Sequence, residues 1–101
     1  MPRERVGAAA EFAEESLTAR TVAGREIVIV RHEGRFYAVP DRCTHARYPL
    51  HDGSLEDGKL VCRHHGARFD LESGRPTMPA LTPLARFDVE VEGDDVYVEL
   101  D

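Results

Sequence analysis

Tryptophan is absent from these 101 residues, cysteine and methionine occur twice each, and aromatic residues make up 7%. No apolar run approaches the roughly 20 residues that a membrane-spanning helix needs. The start, Met1-Pro2-Arg3-Glu4-Arg5-Val6, lacks the apolar stretch of a secretory signal. A cytoplasmic location away from the membrane is the expectation. An excess of basic residues is missing as well: 13 Lys and Arg stand against 19 Asp and Glu, a net charge of −6. That balance argues against nucleic acid as a partner. With so few cysteines and a reducing compartment expected, metal ligation or thiol chemistry is favoured over a disulfide.

What is present suits one domain, residues 1–101. A chain of this length buries roughly 60–70% of its unfolded surface, enough for a core without disulfides. Short alternating runs dominate and point to antiparallel β structure. Arg25-Glu26-Ile27-Val28-Ile29-Val30-Arg31 reads as a central, largely buried strand, and His32-Glu33-Gly34-Arg35 as a hairpin turn into Arg35-Phe36-Tyr37-Ala38-Val39. Near the end, Ala85 to Val91 alternates, Glu92-Gly93-Asp94-Asp95 turns the chain, and Val96 to Leu100 follows as a strand. The only helix candidate, Ala8 to Glu15, is too short for more than a turn or two. Between the halves, Pro40 to Gly74 is rich in Gly, Asp and Arg, with short strand candidates at Lys59–Cys62 and Arg68–Leu71. It reads as a small insertion with loops at its tip.

Those loops hold both cysteines, each with a histidine at short spacing: Cys43-Thr44-His45, then Cys62-Arg63-His64-His65-Gly66. Two thiolates and two imidazoles on paired loops can complete one metal centre. The pattern Cys-x-His with Cys-x-x-His matches the ligation in which two histidines replace two cysteines on one iron of a [2Fe–2S] cluster. His65 is preferred to His64 because His64 would turn the second pair into Cys-x-His. His32 and His51 have no paired cysteine and read as surface or turn histidines. A structural Cys₂His₂ zinc site has the right ligand set, but zinc motifs usually group the cysteines together and the histidines together. A Cys–His nucleophile would leave the other pair unexplained.

Charge is unevenly placed around this motif. From Asp41 to Arg75 six Lys and Arg balance six Asp and Glu, so the rest of the chain carries the whole −6. Arg47, Arg63 and Arg68 are read first as solvated surface charge and second as docking contacts. Leu50, Leu60, Phe69, Leu71 and Leu81 read as packing that keeps water from the metal site.

Over nearly its whole length the chain resembles the Rieske-type [2Fe–2S] ferredoxins of bacterial ring-hydroxylating dioxygenase systems. The resemblance is carried by Cys43-Thr44-His45 and by the run from Cys62 through Gly74, with support from Tyr48-Pro49-Leu50, Asp52-Gly53 and the proline loop Pro76-Thr77-Met78-Pro79-Ala80-Leu81. It implies an all-β fold: a Rieske-type antiparallel β-sandwich with a small inserted cluster-binding subdomain, approximately 40–75. It implies one Rieske [2Fe–2S] cluster per chain, held by Cys43, His45, Cys62 and His65, with the histidine-bound iron at the tip. The implied role is that of a monomeric electron carrier without substrate turnover, between a flavoprotein reductase and a terminal oxygenase. The small electron-transfer subunit of a nitrite-reductase-like complex is the alternative. High-potential members resemble Cys-x-x-His-Gly-Ser-x-Tyr, whereas this chain has Ala67 and Phe69 at the Ser and Tyr places. Loss of those hydroxyl donors implies a low potential.

Overall fold

The computed structural model describes residues 3–42, 49–63, 66–76 and 84–100. Among them nine strands form three antiparallel sheets: β1 (Arg3–Ala8), β9 (Asp95–Glu99) and β8 (Asp88–Glu92) in the first; β2 (Ser16–Val22), β3 (Arg25–His32) and β4 (Arg35–Pro40) in the second; β5 (Ser54–Glu56), β6 (Lys59–Val61) and β7 (Arg68–Asp70) in the third. A single 3₁₀ turn, Ala9–Glu11, joins β1 to β2 and is the described part of the chain's helical content. The expected all-β antiparallel class is therefore what the chain adopts. No helix among the described residues is long and apolar enough to cross a membrane.

The middle sheet organises the other two. Ile27, Val28, Ile29 and Val30 are all fully buried, so β3 has no solvent face. Because successive strand residues point to opposite sides, Val28, Val30 and Val39 enter one apolar cluster while Ile27, Ile29 and Ala38 enter another. The second cluster is completed from the β1–β9–β8 side by Val6, Val96, Val98 and Leu100, and by Phe12 just beyond the 3₁₀ turn. The first is completed from the β5–β6–β7 side and its loops by Leu50, Leu60, Cys62, Ala67, Phe69, Leu71 and Leu84. The cysteine thus belongs to one of the two cores.

The central strand and its hairpin partner fall where the alternation predicts them. Glu33 and Gly34, both at positive φ, make the tight two-residue turn between β3 and β4. Three strands had no clear signal. β1 is charged and pairs with β9 through a register shift between Arg5 and Gly7. β2 shows only weak alternation, and β5 is three residues long. The expected strand from Ala85 to Val91 begins later, at Asp88. Phe87 instead makes an isolated bridge to Ala38, which ties the last hairpin to the middle sheet. The expected helical segment from Ala8 shrinks to the 3₁₀ turn because Ala8 still pairs in β1 opposite Asp95.

Surface carboxylates are held in their charged form. Asp70 lies below its ordinary 3.8 because it accepts the Ser73 and Glu72 amides, and Glu15 below its ordinary 4.5 because it accepts the Glu33 amide and faces His32. Glu92 is lowered from 4.5 by its hydrogen bonds with Arg3. A carboxyl with a depressed folded pKa stabilises the fold above its unfolded value, and that contribution disappears as pH falls through the folded value. Stability should therefore decline as the pH drops below about 4.5. Urea titrations across this range should show the decline, and Asp70→Asn should make it shallower.

Candidate metal centre

β6 delivers Cys62. Leu60 and Cys62 stand two residues apart and so point the same way, into the first core, and Cys62 is fully buried there. β6 pairs with β7 so that Leu60 faces Phe69 and Val61 faces Arg68. One step further, the Cys62 amide donates to the Ala67 carbonyl at 2.8 Å, which closes the turn from 62 to 67. Gly66 lies within that turn at φ +70°, and a Cβ there would meet no protein atom within 4 Å. Glycine is needed for the left-handed backbone rather than for space against the protein.

Other stretches of chain are pinned against the same end of β6. After β4, the Asp41 carboxylate takes the amides of Leu50 and His51, so the chain leaves and re-enters at one place. The Gly53 amide then donates to the Leu50 carbonyl at 3.0 Å. Gly53 packs so closely on Val61 that a Cβ would collide with the Val61 carbonyl oxygen. After β7, Phe69 bridges to Pro76, and the Leu84 amide donates to the Gly74 carbonyl at 2.9 Å. Leu50, Leu60, Ala67, Phe69 and Leu84, all buried, surround Cys62 as an apolar wall.

This environment fits an iron–sulfur centre. Cys62 is fully buried with apolar side chains, and a cysteine sulfur is a ligand that iron–sulfur clusters use. Water is kept from the sulfur by the surrounding side chains. Of the expected ligand set only Cys62 is described; Cys43, His45 and His65 lie outside the described residues, as do His64, Arg47 and Leu81. Among the described residues no group of three or more His, Cys, Asp or Glu gathers to hold a metal ion.

The remaining expectations can be placed. His51 is exposed and directs Nδ1 to the Asp41 carboxylate at 2.6 Å; His32 directs Nδ1 to Glu15 at 2.6 Å. His51 lies in a turn and His32 ends β3, and each is engaged by a carboxylate. Arg63 is exposed and 3.7 Å from Asp52, and Arg68 pairs with Glu56 at 3.1 Å. Leu50, Leu60, Phe69 and Leu71 are buried in the wall around Cys62. Asp41 was missed as a site residue. Its signal was an aspartate at the start of a long loop, where such side chains capture backbone amides.

Gly53→Ala tests the packing directly. Its new methyl must displace the backbone that carries Cys62, and overpacking of this kind costs about 1–3 kcal/mol. The variant should unfold at lower denaturant and hold less iron per chain, as read by urea titration and iron analysis.

A family profile described as the Rieske [2Fe–2S] domain matches residues 3–88. The ferredoxin component of biphenyl 2,3-dioxygenase from Rhodococcus jostii (strain RHA1) is 41% identical over 76 residues, 74% of this chain and 71% of that protein. Curated relatives at 40–42% identity are spanned over 64–71% of their own length. The ferredoxin of carbazole 1,9a-dioxygenase from Nocardioides aromaticivorans IC177 superposes with a TM-score of 0.90 at 31% identity, covering 97% of both chains. A chain in the complex of reduced oxygenase and oxidized ferredoxin in carbazole 1,9a-dioxygenase superposes at 0.87 with 30% identity, covering 98% of this chain and 97% of that one. With its buried cysteine, its strand order and these likenesses together, the chain belongs to the Rieske [2Fe–2S] domain family.

Proposed function

We propose that this chain is a one-electron carrier that accepts an electron from a flavoprotein reductase and passes it to a terminal oxygenase, without turning over a substrate of its own. In this reading residues 1–101 act as a single domain and a monomer in the cytoplasm, with the cluster-binding part at approximately 40–75. Cys43 and Cys62 would hold one iron, and His45 and His65 would hold the other. The cluster supplies a reversible one-electron change when bound. The single observation that carries the reading is the fully buried Cys62 in an apolar cluster. Likeness to ferredoxin components of dioxygenases supports the choice of partners.

The protein's own residues have separate tasks. Cys62 contributes charge and sulfur from the dry side, while Leu50, Leu60 and Leu84 keep water from it. Ala67 and Phe69 are fully buried in the same cluster as Cys62 and carry no hydroxyl. Without donors from these side chains the more negative reduced state is less stabilised, which puts the potential at the low end of the Rieske range, of order −150 mV. Redox titration should find such a value, and Ala67→Ser with Phe69→Tyr should raise it. A value far above zero, or an unmoved potential in the double variant, would contradict this account of the cluster's surroundings.

Carrier function is tested by mixing the reduced protein anaerobically with purified terminal oxygenases of the biphenyl and carbazole dioxygenase types. One electron per chain should be transferred to at least one of them. Arg47→Glu or Arg63→Glu should slow that transfer while leaving the visible spectrum unchanged, because a rim charge acts on encounter more than on the site behind it.

A further inference from the structure

The loop expected to supply the first cysteine and histidine begins and ends at one carboxylate. Asp41 follows the last residue of β4, and its amide donates to the Glu26 carbonyl at 3.0 Å, so its backbone still belongs to the middle sheet. Its side chain is only 8% exposed. Oδ1 accepts the Leu50 amide at 2.7 Å and the His51 amide at 2.9 Å, and Oδ2 lies 2.6 Å from His51 Nδ1. The path then continues without a gap: the Leu50 carbonyl accepts the Gly53 amide, and Gly53 presses on the Val61 carbonyl beside Cys62.

We propose that Asp41 is a positioning residue for the [2Fe–2S] centre: its carboxylate ties the chain at Leu50 and His51 back to the end of β4, and this tie helps the protein retain its cluster. The proposal rests on the ligand set proposed above. The physical reason lies in loop entropy. A loop free at its stem samples many arrangements, and ligands already placed bind without that ordering cost. The accepting oxygen is also largely screened from water, so solvent competes little for the two backbone amides.

The test uses the purified, cluster-loaded protein and the variants Asp41→Ala, Asp41→Asn and His51→Ala. The rate of cluster loss to an iron chelator is followed by visible absorbance, and EPR of the reduced protein reports the ligand geometry. Asp41→Ala should lose its cluster about tenfold faster or more, in line with the loss of a group that orients metal ligands, and its EPR lines should broaden. Asp41→Asn keeps an oxygen that can accept the same two backbone amides, so its rate and line shape should stay near the parent's. His51→Ala should fall between the two. The proposal is overturned if Asp41→Ala matches the parent in both readouts, or if Asp41→Asn is damaged as badly as Asp41→Ala. Should Asp41→Ala yield no loaded protein, Asp41→Asn decides alone: parent-like behaviour supports the clamp and rapid loss refutes it. A parent protein without cluster absorbance would overturn the ligand assignment itself, and the clamp with it.

Discussion

Burial of β3 on both faces is the constraint on which the rest of this structure depends. Four consecutive residues, Ile27 to Val30, are removed from water, each contributing about 1.5–3 kcal/mol relative to exposure. A strand with no solvent face needs cover on each side. The β1–β9–β8 sheet supplies it on one side, with Val96 and Val98, and the β5–β6–β7 sheet with its loops supplies it on the other. Cys62, the proposed ligand, is part of that second cover.

The chain meets a conflict at Cys62. Cys62 is fully buried, yet the sequence on either side of it is rich in polar residues. The structure resolves it by fixing the stems and burying only a few side chains. Asp41 ties one stem, the Cys62–Ala67 bond closes another, and the Gly74–Leu84 bond holds the third. Leu50, Ala67 and Leu84 then carry apolar surface from each stem into the core. Polar backbone at the stems is satisfied by named partners, as buried backbone must be.

Much of this was legible in the sequence, for reasons that differ by element. β3 was readable because its run of β-branched residues is long and bounded by charges, and the β3–β4 turn because Glu33-Gly34 is tight-turn chemistry. β1 was not readable. Arg3 pairs with Glu90 and Glu92 across the sheet, so this strand is held in part by charge and carries little alternation. The delayed start of β8 was hidden because Phe87 alternates correctly but leaves its own sheet to reach Ala38. The burial of Leu50, Leu60, Phe69 and Leu71 together with Cys62 followed from their apolar character. Asp41 did not, because its role depends on amides nine and ten residues away. The places of Cys43, His45 and His65 lie outside the described residues, so their ligand roles rest on the sequence pattern and the family.

The central claim is that mixed thiolate and imidazole ligation of a [2Fe–2S] cluster gives this chain its function. EPR of the dithionite-reduced protein tests it most directly. The account predicts a rhombic signal with the low average g value of mixed Cys/His ligation. A colourless, EPR-silent protein loaded with zinc, or a signal with the higher average g of an all-cysteine cluster, would contradict it.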